Sequence, residues 1–317
     1  MKQLLLIIII GSIVFVNCTS QNEISYEDGY LYISDGHKLY YEKIGSGPEV
    51  ILIPGGMYYS PIFKQLANAD RTLIIYDQRS RGKSSSIKDS SQLGWTKEVD
   101  DIESIRQHFD FKTISIIGWS YSGAIATLYA KNFPESTNRL ILIGPMPIKR
   151  VPYWDVFLQT SQSRRTNDYD YKIQSIKGNF ERTGNLERYI KDYYQQSHQL
   201  LLFDTSITET FRKDFYTCPN ERPDIMWGFT FPTIINSFGD WDFTSELSEL
   251  ALPTLIIHGI YDPVPVESSK EWKTILQNSR LWLINDVGHM PFVEKQKEVL
   301  SGINDFLNGT WTDEAIR

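Results

Sequence analysis

Short, almost wholly apolar runs separated by amphipathic stretches place the tightest constraint on this chain. Val50-Ile51-Leu52-Ile53, Thr72 to Tyr76, Thr113 to Ile117, Leu140 to Ile143, Leu255-Ile256-Ile257 and Leu281 to Ile284 are runs of this kind. A strand with one wet face alternates polar and apolar residues, whereas a near-continuous apolar run marks a strand covered on both faces, as in a parallel sheet. Between the runs lie Lys97 to Phe109, Tyr121 to Asn132, Ser268 to Gln277 and Lys295 to Leu307. In the first of these, Val99, Ile102, Ile105 and Phe109 fall on one helical stripe. Ahead of them, Gly29 to Ile33 and Lys38 to Ile44 flank the turn signal Ser34-Asp35-Gly36, which predicts an antiparallel hairpin. Eight strands result, in a doubly wound, mostly parallel α/β sheet with a leading antiparallel edge.

One connection breaks the rhythm. About 110 residues separate the strand ending at Ile143 from the one starting near Thr254, too many for a loop without structure of its own. Aromatic pairs recur there, as in Tyr153-Trp154 and Tyr193-Tyr194. The expected organisation is a core of residues 24–145 and 250–310 carrying a mostly helical cap over residues 146–249, with a frayed tail from 308 to 317. The net charge of −7 comes with no Lys/Arg-rich run, so a nucleic-acid partner is not expected. No clustered His, Cys and Asp spacing predicts a metal site, and no cofactor is implied.

The first residues read differently. Lys2 precedes an apolar run from Leu4 to Val16, interrupted only by Gly11 and Ser12 and shorter than the roughly 20 residues a membrane-spanning helix needs. This reads as an export signal over residues 1–17. Val16-Asn17-Cys18 followed by polar residues resembles a bacterial lipoprotein signal, in which Cys18 is lipidated and becomes the first mature residue, although Asn17 departs from the small residue usual there. The expectation is an exported lipoprotein held at a membrane by its lipid and facing the periplasm or cell surface, the alternative being plain cleavage and soluble secretion. The second cysteine, Cys218, is expected to be structural or incidental, with no disulfide framework.

Chemistry concentrates in three places. Ile116-Ile117-Gly118-Trp119-Ser120-Tyr121-Ser122-Gly123-Ala124 takes a buried strand into a serine and then directly into an apolar helix, the setting of a nucleophile elbow. Small residues two before and two after the serine keep strand and helix from colliding; Gly118 fills the first place and Ser122 the second. Ser122 is a rival nucleophile, but it falls inside the helix, where its hydroxyl is expected to bond backbone. After the third strand, Ile53-Pro54-Gly55-Gly56-Met57 is a glycine-rich loop suited to present a backbone N–H to a developing oxyanion, with Tyr121 N–H as the second donor. Near the other end, Asp262 follows the strand Leu255 to Ile257, and His289 follows the strand Leu281 to Ile284. A carboxylate at a strand end can fix an imidazole tautomer and stabilise its cation. The order Ser120, Asp262, His289 is that of the strand–elbow–helix hydrolases. His37, His108 and His198 have ordinary structural explanations, while His258 ends a strand near the active face.

From about residue 29 to 307 the chain resembles the α/β-hydrolase superfamily, and within it the proline iminopeptidases and related serine aminopeptidases. Tyr76-Asp77-Gln78-Arg79-Ser80-Arg81-Gly82-Lys83-Ser84 resembles their D-Q-R-G-x-G-x-S loop, and Val99 to Arg106 the helix before their nucleophile strand. Phe238-Gly239-Asp240-Trp241-Asp242 with Leu252-Pro253-Thr254-Leu255 resembles the exit from their cap. The resemblance puts Ser120, Asp262 and His289 on the triad positions, and Gly56 and Tyr121 on the oxyanion positions. It implies two-step acyl transfer on short peptides with a free N-terminus or on carboxylic esters, with a non-catalytic binding homologue as the rival from another class. In the family, cap carboxylates bind the substrate amino group; here Asp155 and Glu181 are candidates. Pro54, Met57, Ser80 and Ser122 depart from the family's His, Pro, Gly and Gly.

Overall fold

A computed structural model describes residues 24–206 and 212–316. The export signal and Cys18 lie outside the described residues, and none of the described helices is long and apolar enough to cross a membrane. The strands are β1 (Tyr26–Tyr32), β2 (Lys38–Ile44), β3 (Glu49–Pro54), β4 (Arg71–Tyr76), β5 (Ile114–Trp119), β6 (Thr137–Ile143), β7 (Thr254–Gly259) and β8 (Ser279–Ile284). They form one eight-stranded sheet in the order β1-β2-β4-β3-β5-β6-β7-β8. β1 and β2 are antiparallel to their neighbours, and every pairing from β4 to β8 is parallel.

The apolar runs are two-sided, as their composition requires. Along β3, Val50 and Leu52 face one core cluster while Ile51 and Ile53 face the other. The first cluster is closed by α2 (Trp95–His108), α3 (Tyr121–Asn132) and α9 (Val266–Ile275) through Ile102, Ile105, Ile125 and the fully buried Trp272. The second is closed by α1 (Gly56–Phe63), the short α10 (Pro291–Glu294) and α11 (Gln296–Leu307) through Phe63, Phe292, Ile303 and Phe306. Each such side chain contributes about 1.5–3 kcal/mol when fully buried.

The long connection from β6 to β7 carries α4 (Tyr153–Ser163), α5 (Asn167–Thr183), α6 (Leu186–Ser197), one turn of α7 (Pro223–Ile225), a π-helical stretch Met226–Thr230 and α8 (Phe231–Ser237). Local signals delimit its central hairpin. Thr166 accepts from Tyr169 N–H at the start of α5, Gly184 closes it in the left-handed conformation, and Asn185 accepts from Arg188 N–H to start α6. Phe180 and Tyr189 then stack across the turn, 4.3 Å between ring centroids.

Two expectations need correction. The glycine-rich loop after β3 runs at once into α1, an eight-residue helix hidden from a periodicity reading by its Pro61. Of the tail expected over residues 308 to 317, the described part, 308 to 316, is not frayed. Trp311 packs on Phe306, Thr312 and Ala315 are buried, and Leu281 and Ile316 exchange backbone hydrogen bonds of 3.0 and 2.9 Å at the sheet edge. Its polar composition conceals the few side chains that do the packing.

Candidate active site

Ser120 sits between β5 and α3 with φ 56° and ψ −128°, a conformation that costs a residue with a Cβ of the order of 1–3 kcal/mol. The turn is held from both sides: Ser120 N–H donates to Ile143 O at 3.0 Å, and Ser120 O accepts from Gly123 N–H at 3.0 Å and Met146 N–H at 3.0 Å. Gly118 is obligatory, because a Cβ there would meet Ser122 O at 2.5 Å and Gly123 Cα at 2.7 Å. Ser122 is a buried residue in the first turn of α3 and, like Ser120, touches the adjoining cavity. The helix leaves Tyr121 N–H among the first-turn donors that have no intrahelical acceptor. Gly56 opens α1 in the same way, after Gly55 at φ 95°, and has Asp77 behind it, 2.9 Å from where a Cβ would lie.

The structure brings Asp262 and His289 together. Asp262 Oδ2 accepts from His289 Nδ1 at 2.8 Å, and Oδ1 accepts from Val264 N–H at 2.8 Å, so the carboxylate has little rotational freedom. Both residues are buried. The bond between Asp262 and Nδ1 leaves Nε2 as the imidazole's remaining base, and His289 lines the same cavity as Ser120.

Several groups that sequence reasoning missed hold this pair. Gly144, directly after β6, has φ +46°, and a Cβ there would lie 2.9 Å from Asp262 Oδ2 and 3.1 Å from His289 Nδ1. Trp119 Nε1–H donates to His289 O at 2.7 Å and its ring lies 5.1 Å from the imidazole. His289 N–H donates to Leu201 O at 2.7 Å, which ties the histidine loop to the insertion. Glu294 accepts from Gly288, Phe203 and Asp204 N–H at 2.7, 2.8 and 3.1 Å, bracing the same junction, and burial raises its carboxyl above the usual range. The only advance signal for these was Gly144-Pro145 at the end of an apolar strand. His258 has a supporting place: buried, with Nδ1 on Ser269 Oγ at 2.8 Å and Nε2 on Val264 O at 3.1 Å, it steadies the loop that carries Asp262.

The cavity over Ser120 encloses about 130 Å³, below the roughly 300–1,000 Å³ of drug-sized sites. Phe157, Leu201, Met226, Trp227 and Phe231 of the insertion make its apolar side. Tyr58, Gln78, Arg81 and Tyr121 of the core also line it. Asp155 and Glu181 are exposed and line no part of it. Each lies on an outward helix face, which sequence alone could not orient. Cys218 is buried with its sulfur on Asp214 O at 3.3 Å, and burial pushes its thiol up to about 12, so it has no place in the chemistry. Among the described residues no group of His, Cys, Asp and Glu is arranged to hold a metal ion.

A mostly parallel sheet with a strained serine between strand and helix, and a buried Asp–His pair on later strand ends, defines a class. Residues 48–296 match the family described as alpha/beta hydrolase fold, and the chain belongs to it. Among individual relatives, a proline iminopeptidase of Heyndrickxia coagulans is 24% identical over 304 residues, covering 89% of this chain and 99% of that protein. One from Saccharolobus solfataricus is 28% identical over 308 residues, covering 93% and 96%. An esterase from Exiguobacterium antarcticum has the same fold, with a TM-score of 0.63 at 18% identity over 89% of this chain and 100% of that one.

Proposed function

We propose that the protein is a serine hydrolase that cleaves small acyl substrates through an acyl-enzyme on Ser120. The observation that carries this reading is the hydrogen-bonded Asp262–His289 pair on the cavity that Ser120 lines from a strained elbow. His289 Nε2 takes the Ser120 proton as Oγ adds to the substrate carbonyl. The carbonyl π-electrons move to oxygen, which Gly56 and Tyr121 N–H stabilise. The tetrahedral adduct collapses, the bond to the leaving group breaks, and His289 delivers the proton to that group. Water then adds to the acyl carbon by the same route, releasing the acid and restoring Ser120. Asp262 holds the imidazole in its working tautomer and balances its transient charge. The small volume of the cavity favours short or compact acyl groups.

A second reading, aminopeptidase action on an N-terminal residue such as proline, is favoured by the names of the two relatives and their near full-length coverage. Export with a lipid on Cys18 belongs to the same proposal. Cys18→Ser is expected to move the protein from the detergent phase to the aqueous phase of a detergent separation, and a wild type already wholly aqueous overturns it. The hydrolase reading itself is tested by rapid mixing with p-nitrophenyl butyrate and prolyl-p-nitroanilide. Turnover of either supports it, an initial burst of one product per Ser120 marks the acyl-enzyme, and inertness toward a panel of esters and amides contradicts it.

A further inference from the structure

Binding a free N-terminal amine in a closed cavity needs a carboxylate beside it, because a desolvated ammonium without a partner is costly. None of the described residues that line the cavity over Ser120 is Asp or Glu. Asp262 stands behind the lining His289 and is taken up by it, and Glu221, in the insertion, is fully buried behind the lining Arg81 and already committed. Its Oε1 accepts from Arg81 Nε at 3.1 Å and Gly82 N–H at 2.7 Å, and its Oε2 accepts from Arg81 Nη2 at 3.3 Å. Arg81, not Glu221, lines the cavity. The ion pair therefore presents its positive end to the substrate.

The neighbouring groups sharpen the bias. Tyr58 OH accepts from Arg81 Nη2 at 3.2 Å, and the Tyr121 hydroxyl also interacts with the guanidinium, so two phenols that line the cavity hold Arg81 at its surface. Behind Gln78, whose amide nitrogen donates to it, Glu98 is fully buried, and burial together with Asp101 raises its carboxyl to about 8, so it adds no negative charge at neutral pH. Asp77 Oδ2 accepts from Arg212 at 2.9 Å and from Lys83 N–H at 2.9 Å, while Oδ1 lies behind Gly56; Asp77 does not line the cavity. Among the described lining residues Arg81 alone carries a permanent charge; at reduced dielectric its field is weakly screened, and its guanidinium is a planar donor suited to oxygen acceptors.

We propose that Arg81, clamped by Glu221, is the specificity residue of the cavity: it selects acyl groups that end in an oxygen acceptor, a carboxylate above a carbonyl, and turns away a free ammonium. This rests on the serine-hydrolase reading and narrows its substrate class to acyl donors whose far end is an oxygen acceptor and not an ammonium.

The test is a charge series of near-isosteric ethyl esters followed by acid release: monoethyl succinate, ethyl levulinate, ethyl valerate and ethyl 4-aminobutyrate. Losing or opposing one buried charged contact changes kcat/KM by about 30-fold or more. The succinate ester is expected to exceed the aminobutyrate ester by at least that factor, with levulinate between succinate and valerate. Arg81→Lys should keep the order. Arg81→Met with Glu221→Gln, a neutral pair of similar shape, should bring the series to within a few-fold, and Arg81→Met alone should invert it by freeing Glu221. A wild-type series that is flat or favours the ammonium ester overturns the inference without need of any variant. An order unchanged in the neutral pair also overturns it. If ethyl valerate is turned over and the series is flat, only this inference falls. If no ester is turned over and a fluorophosphonate leaves Ser120 unlabelled, the hydrolase reading falls and this one with it.

Discussion

Gly144→Ala is a change of one methyl group aimed at the Asp262–His289 bond. Two costs add at this position. The backbone is in the left-handed region at φ +46°, where a Cβ costs roughly 1–2 kcal/mol. The new methyl carbon would also stand 2.9 Å from Asp262 Oδ2 and 3.1 and 3.3 Å from His289 Nδ1 and Cε1, wedged against a hydrogen bond only 2.8 Å long. Neither partner can simply step aside. Asp262 Oδ1 is held by Val264 N–H, and the His289 backbone is held by Leu201 O and by the Trp119 indole. The imidazole must swing by several tenths of an ångström relative to Ser120. Misplacement of about 1 Å costs on the order of 10²-fold in rate, so a fall in kcat/KM of about 30- to 100-fold is expected on an ester substrate. Gly184→Ala supplies the control: its φ is +65°, but a Cβ there has nothing within 4 Å. Both variants should lose melting temperature, Gly144→Ala at least as much as Gly184→Ala, while only Gly144→Ala loses activity. Activity within about threefold of wild type in Gly144→Ala, at a lowered melting temperature, would refute the reasoning.

Asp262→Asn should keep the fold but let the amide donate toward His289 Nδ1, which selects the wrong tautomer; kcat is expected to fall by about 10³–10⁴, and a loss below tenfold contradicts the orienting role. Glu98→Gln addresses stability. The Glu98 carboxyl is raised in the folded protein from 4.5 to about 8, so the stability it contributes is full below the unfolded value and is lost as pH rises through about 8. The melting temperature of wild type relative to Glu98→Gln should therefore decline between pH 5 and pH 8, and a constant difference across that range overturns the assignment of a neutral Glu98.

The sheet was legible because buried parallel strands write themselves as continuous apolar runs, and six such runs lie where the structure has strands. Ser120 was legible for the same reason: only a strand running straight into a helix makes that turn, and the residues on either side announce both. Asp262 and His289 were legible as loop residues on strand ends, though their 2.8 Å contact across 27 positions of chain is a product of sheet order. Gly144 was not, because its constraint comes from side chains that arrive from two other loops. Nor was the fate of Glu221. A carboxylate in an aromatic-rich insertion reads as a candidate partner for an amine until Arg81, 140 positions earlier, is seen to occupy it. Ser80 shows a local departure absorbed by geometry. It takes φ 57° in place of the family's glycine and recovers a hydrogen bond from Ile87 N–H to its own Oγ at 3.3 Å. Helix α1 was hidden because Pro61 breaks the pattern while leaving the helix intact.

The central claim is that Ser120 is the nucleophile, and active-site labelling tests it most directly. Wild-type protein and its Ser120→Ala and Ser122→Ala variants would be treated with a fluorophosphonate, digested, and the modified residue located by mass spectrometry. The expected result is one phosphonyl group on Ser120 in wild type and in Ser122→Ala, and none in Ser120→Ala. Label on Ser122, or label that survives Ser120→Ala, would contradict the account.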